Sequence, residues 1–222
     1  MKQNIWGRLK VTEILLGLIA SSETSEVEQQ YDETTAINKI RQELSDTMLS
    51  EMFDIGIDAG LASLFSIALL DMKKYSFKTI SSIPEKQRDY IKDFNNFAKL
   101  KRVNLLEHTY NVVKQAQSMK AELGYNYPTL LILCLLHDFG KSKDIKQNYA
   151  SENWSLHEQI SANYLKHVLL KLNFDEKFIV TLTEILNHHH DDSKPTRDKL
   201  TQMLKKCDSF ARIDELDKLS SY

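Results

Sequence analysis

The chain has 222 residues, 42% of them hydrophobic, and a net charge of −2. That length supplies one large domain or two small ones with ample core material. The near-neutral balance excludes an overall basic field for nucleic-acid binding.

Spacing near 3.6 residues dominates throughout. Three prolines and six glycines give few turn signals, and no stretch alternates as a β-branched strand does, so the fold class expected is all-α. Residues 1–22 predict a first helix; Arg8, Lys10 and Glu13 precede its apolar stretch, which therefore does not read as a signal peptide. Ser21 to Glu26 reads as a solvated linker. Helices are expected over 32–56 and 57–72. The apolar run from Gly60 to Leu70 is about half of the ~20 residues a membrane-spanning helix needs. Ser81-Ser82-Ile83-Pro84 marks a break, with Pro84 in the first turn of the next helix. Residues 1–85 hold no chemical motif and read as a helical N-terminal extension, regulatory or capping, ahead of a domain over 86–222.

In that domain Leu105, Val112, Ala116 and Met119 form a helical stripe with His108 on its apolar side. Pro128 opens a run over 129–136 that is apolar on every face, the mark of a central buried helix. The run ends in His137-Asp138-Phe139-Gly140-Lys141, where Gly140 is expected to take the left-handed C-terminal cap. Ser155 and Glu158 have capping-box spacing, which sets His157 in the first turn of a helix striped by Ile160, Tyr164, Val168 and Leu172. Asp175 caps the next helix, where Phe178, Leu182 and Ile185 lead to His189 near mid-stripe; His190 lies to one side and His188 further off on the other. Asp208 sits at the edge of a last stripe of Leu200, Leu204, Cys207 and Ala211. The isolated Cys134 and Cys207 read as buried reduced thiols, which suits the cytoplasm. His167 fits no element of this pattern. Trp6, Trp154 and the tyrosines form no stacking array for single-stranded nucleic acid.

Imidazoles and carboxylates on apolar stripes must be desolvated, which is costly without a partner. Together they suit divalent Fe, Mn, Ni, Co or Zn, and a metal-dependent hydrolase follows as the leading reading. Taken singly each has a bland role: a hydrogen-bonded core histidine, a helix-end pair, a terminus favoured by the dipole, a surface ion pair.

The order of the groups is more telling. Leu105-Leu106-Glu107-His108-Thr109, then Leu135-Leu136-His137-Asp138-Phe139-Gly140-Lys141, then Cys207-Asp208-Ser209-Phe210-Ala211-Arg212 resemble the HD-domain metal-dependent phosphohydrolase superfamily over residues 100–215. The resemblance implies a helical bundle and a metal held by His108, His137, Asp138 and Asp208. His157 and one of His188, His189 and His190 match positions that bind a second ion in some relatives, with Asp138 as the bridge. His189 is preferred by helical angle, although the pair can be read as 188–189 or 189–190. The implied activity is hydrolysis of a nucleotide-type small-molecule phosphoester by water activated on the metal.

Lys141 matches a position where relatives place a lysine or glutamate near the reacting phosphate; it equally suits a cation at a helix C-terminus. Arg212 either faces the site or pairs with Asp208. The HD-GYP group is a poorer likeness, because Asp191 is followed by Asp192-Ser193-Lys194-Pro195 without a Gly-Tyr-Pro segment. A signalling module of the same fold without catalysis is the competing class, and the full set of ligand positions speaks against it.

Overall fold

The structure, a computed structural model, describes residues 33–83, 94–150, 156–190 and 198–220. The helix and linker expected before residue 27, and Pro84, lie outside these. Among the described residues every regular element is helical, and β pairing is limited to one isolated bridge between Ser81 and Asn104. No helix among them is long and apolar enough to cross a membrane. The chain divides into two compact units, residues 1–71 and 72–222.

In the first unit the helix expected over 32–56 is two: α1 (Glu33–Glu43) and α2 (Thr47–Asp58). The break falls where Asp46 leaves helical geometry to cap α2, its Oδ1 accepting from the amides of Met48 (2.9 Å) and Leu49 (3.2 Å). The helix expected over 57–72 begins later, as α3 (Ala62–Lys74). Gly60, at φ +73°, makes the turn between them. Ile40, Leu44, Met52, Phe53, Leu64 and Phe65 are buried here.

The second unit is built around α5 (Leu105–Ser118), α7 (Tyr127–Leu136) and α11 (Lys199–Ser220), which pack on one another. α4 (Phe94–Leu100) lies along α11, and the short α6 (Lys120–Leu123) links α5 to α7. Asn104 caps α5, accepting from the Glu107 amide at 2.9 Å. Tyr127 and every residue from Thr129 to Leu136 are buried, as the all-round apolar pattern requires.

After α7 the chain makes a single 3₁₀ turn, Phe139–Lys141, before α8 (Lys143–Tyr149). Phe139 stacks on Tyr164 and meets the edge of Phe77, which fixes this turn in the core. α9 (His157–Lys171) packs on the turn and pairs with α10 (Glu176–His188); Asn173, at φ 55°, turns the chain between them. Asp175 caps α10 as expected, accepting from the Phe178 amide at 3.1 Å.

Candidate metal centre

The end of α7 supplies the middle of the site. His137 is the C-cap residue and Asp138 follows it into the 3₁₀ turn, so both side chains leave the most buried helix of the unit together. His137 is 0% and Asp138 2% exposed. Gly140 does not take the left-handed cap: among the described residues the positive-φ glycines are Gly60 and Gly124. Its smallness serves another purpose. A Cβ there would lie 2.0 Å from the His157 carbonyl oxygen, so only glycine lets the first turn of α9 come this close. The Gly140 amide also donates to Ser161 Oγ of α9 at 2.8 Å.

The capping box expected at α9 is not formed in that register. Leu156 stands in the N-cap position and makes no side-chain cap; Ser155 lies outside the described residues. Glu158 instead turns to His157, its Oε2 3.2 Å from Nδ1.

The expected ligands converge. His157 Nε2 is 3.2 Å from Asp138 Oδ1, and His108 Nε2 is 3.1 Å from Asp208 Oδ1 and 3.5 Å from Asp138 Oδ2. His137 Nε2 lies 3.4 Å from Asp138 Oδ2. Two groups have ligand atoms close enough to share an ion: His108, His137 and Asp138, and Asp138, His157, His189 and His190. Asp138 belongs to both. Of the histidine triplet, His189 is buried as its stripe position predicts, and His190 joins it, with Nε2 3.2 Å from His157 Nε2; His188 is exposed. His167 is exposed too, its ring against Tyr149.

Each buried ring has its far nitrogen engaged. His137 Nδ1 donates to the Cys134 carbonyl at 2.9 Å, and His189 Nδ1 to the Leu186 carbonyl at 2.6 Å, both three residues back. That fixes the tautomer and leaves the Nε2 lone pair facing the centre. Yet Nε2 of His108, His137 and His189, Oδ1 of Asp138 and Oδ1 of Asp208 are buried with no hydrogen-bond partner among the described residues. Five such atoms in one place are far more than a native core tolerates at random. They are all electron-pair donors, which is what a divalent cation requires and what a hydrogen-bond network does not. The residues fit a metal ion.

The electrostatics agree. Burial works against ionising Asp138, but Lys141 and His137 outweigh it and hold the carboxyl well below the usual range. Burial likewise opposes the Asp208 charge, and His108, His137 and Arg212 overcome it, so this carboxyl is also depressed. Burial and the neighbouring His190 and His137 push His189 well down, keeping it neutral. Burial lowers His137 as well, but Asp138 and Asp208 pull it upward. A proton and a metal compete for that ring.

Lys141 Nζ donates to Asp138 Oδ2 at 2.6 Å and to the Ser82 carbonyl at 2.9 Å, so it is a buried partner of the site and not only a charge at a helix end. Arg212 also reaches Ser82, with Nη1 2.8 Å from Oγ and 3.1 Å from Glu215 Oε2; its Nε is 3.8 Å from Asp208. Sequence reasoning missed Glu215, whose Oε1 accepts from His108 Nδ1 at 2.9 Å. A signal was present: Leu204, Cys207, Ala211 and Glu215 continue one buried stripe, and a glutamate has no apolar reason to be on it. Ser82, Asn111 and Glu158 were missed as well, and no spacing rule points to them. Cys134 and Cys207 are buried, the latter 3.9 Å from the Met119 sulfur.

The HD domain family model matches residues 105–217, a span that contains all of these residues from His108 to Asp208. No curated protein and no solved structure matches the chain significantly.

Proposed function

Because the chain belongs to the HD domain family, we propose that it is a metal-dependent phosphohydrolase or phosphodiesterase acting on a nucleotide-type phosphoester. The observation that carries this reading is the set of buried, unpartnered donor atoms gathered from four segments of chain around Asp138. In this reading His108, His137, Asp138 and Asp208 hold one divalent ion, and Asp138, His157 and His189 hold a second, with His190 beside them. The mixed nitrogen and oxygen set suits Fe, Mn, Ni, Co or Zn. Such ions, when bound, supply Lewis acidity toward a phosphoryl oxygen and make water nucleophilic near neutral pH.

The protein's own part is to arrange these groups beforehand. Lys141 and His137 keep Asp138 ionised, and the Cys134 and Leu186 carbonyls keep two imidazoles aimed inward. Lys141, already beside Asp138, is positioned to neutralise charge on a non-bridging phosphate oxygen. The test is elemental analysis of freshly purified protein, followed by a screen of nucleotide monoesters and diesters with Mn(II), Fe(II) and Zn(II). Absence of both metal and turnover overturns the reading. Lys141→Met should lower turnover by about a hundredfold, the effect of losing one transition-state charge contact, with metal content retained. An unchanged rate leaves Lys141 as the partner of Asp138 and Ser82 alone.

A further inference from the structure

The groups behind the ligands carry more than the ligands themselves. His108 differs from His137 and His189 in what holds its outer nitrogen: a carboxylate, not a backbone carbonyl. Glu215 is 2% exposed and has both oxygens occupied. Oε1 accepts from His108 Nδ1 at 2.9 Å and from Asn111 Nδ2 at 3.1 Å, and Oε2 accepts from Arg212 Nη1 at 3.1 Å. Arg212 is itself tied to Ser82 through Oγ at 2.8 Å and the carbonyl at 3.3 Å. The Ser82 amide in turn donates to the Val103 carbonyl at 2.9 Å, just before α5 begins. Glu215 is therefore fixed from three sides, by α5, by its own helix and by the Ser82 turn.

We infer that Glu215 is a positioning residue for the metal centre, acting through His108. A carboxylate here does what the carbonyls behind His137 and His189 do, and adds a full charge. Its oxygens already take N–H donors from Asn111 and Arg212, so toward His108 it is an acceptor. His108 Nδ1 must then carry the proton, which presents Nε2 to the centre. The full negative charge also makes that ring a stronger electron donor, as carboxylate–histidine pairs behind metals do. The near side of the same ring meets negative charge alone. His108 Nε2 faces Asp208 Oδ1 at 3.1 Å and Asp138 Oδ2 at 3.5 Å. With Nδ1 protonated, Nε2 can meet two carboxylates only by gaining a proton or by sharing a cation with them.

This inference rests on the reading that the centre holds a divalent ion, and the experiment separates the two. Mn(II) and Zn(II) affinities of the chelator-stripped full chain are measured by competition with a fluorescent chelator. The proteins are wild type, Glu215→Gln, Glu215→Ala, His108→Ala and the double variant His108→Ala/Glu215→Gln. Wild type that takes up neither metal removes the metal reading and this inference with it. If wild type binds, Glu215→Gln should bind about 10- to 100-fold more weakly, the usual loss for such an outer partner. Glu215→Ala should bind more weakly still, since Gln keeps an acceptor oxygen for Nδ1–H. Asn111→Ala, which frees one side of Glu215 without touching His108, should give a smaller loss in the same direction. In the His108→Ala background Glu215→Gln should cost nothing further, because the route to the metal is gone. Wild-type affinity in Glu215→Gln, or an equal loss with and without His108, overturns the inference.

Discussion

The two halves of the proposed centre both gather imidazoles around Asp138 but set them in different surroundings. The inner half, His108, His137 and Asp208, is supplied by α5, α7 and α11, which pack closely on one another. Both of its histidine side chains are 0% exposed. Behind His108 stands the fully occupied Glu215. The outer half, His157, His189 and His190, comes from α9 and α10; the His157 side chain is 16% exposed, and Glu158 behind it has a buried oxygen without a hydrogen-bond partner among the described residues. The two inner histidines are thus held by the core itself, whereas His157 depends on how closely one helix start approaches one turn. In such a site stability and ion occupancy separate: damage to the inner half should cost both, damage to the outer half mainly occupancy.

The largest effect is expected at the residue common to both halves. Asp138→Ala should remove all bound metal and any hydrolysis, taking the proposed two ions per chain to none. It should also erase the rise in melting temperature on adding metal, a stabilisation of about 2.7 kcal/mol at a hundredfold excess over Kd. Metal content equal to wild type in this variant would break the comparison at its centre.

Next come the paired truncations that set the halves against each other. His108→Ala takes from the buried Glu215 one of its three donors, so the chelated protein should lose about 1.5–3 kcal/mol, the worth of a hydrogen bond to a charged group. His157→Ala removes a partly exposed ring and should cost clearly less. Both should lower metal content, the second to about one ion per chain if the centre is binuclear. Urea midpoints of the chelated proteins check the stability order, and equal losses would show that the two surroundings do not differ as described.

A smaller and more selective effect is expected at Gly140. Alanine is free to adopt this backbone, but its Cβ would meet the His157 carbonyl oxygen at 2.0 Å and Ile160 Cβ at 2.9 Å. Either the turn or the start of α9 must move, at a cost of about 1–3 kcal/mol typical of overpacking. Gly140→Ala should therefore lose the outer ion first while His108, His137 and Asp208 keep theirs. Elemental analysis against Mn(II) concentration would show one site weakened and one intact; uniform weakening would place the clash elsewhere.

What the sequence made legible follows the same division. The inner half was readable because its residues lie on strong helical stripes: His108 opposite solvent, His137-Asp138 at the end of an all-apolar run, Asp208 beside Cys207. His189 was readable for the same reason. His190 was left open as one reading of the pair, since it lies beyond the end of α10, where helical angle stops being a guide. Gly140 was misread because a glycine after a helix suggests a left-handed cap, and nothing local tells that the glycine makes room for a distant carbonyl. The helices of 33–58 were fused because Asp46 lies among residues that continue the helical spacing, and its capping role depends on a backbone turn that spacing does not encode. Ser155 and Glu158 match a capping motif, but α9 starts one residue later, with Leu156 at the N-cap and Glu158 beside its neighbour His157.

The smallest expected effect is on the pH dependence of the metal-free protein, and it isolates one outer ring. Burial, with His190 and His137 nearby, holds His189 well below its ordinary value in the folded state. Unfolding returns it to about 6.5. Below that value the unfolded chain binds a proton that the folded chain refuses, so the contribution of His189 to stability is present above about pH 6.5 and is lost as pH falls toward the folded value. His137 runs the other way. Burial lowers it but Asp138 and Asp208 raise it overall, so its contribution is full below about 6.5 and is lost as pH rises through the folded value. The two partly cancel in wild type, which makes the absolute slope uninformative and the difference between proteins the quantity to measure. His189→Leu keeps an apolar side chain in the stripe and removes only the first contribution. Relative to wild type it should be more stable at about pH 5.5 than at about pH 7.5, a window set by the ordinary histidine range. Urea unfolding of both chelated proteins at the two pH values gives the comparison. A stability difference independent of pH would mean that His189 titrates alike in both states, and the buried neutral imidazole on which the outer ligand set relies would be wrong.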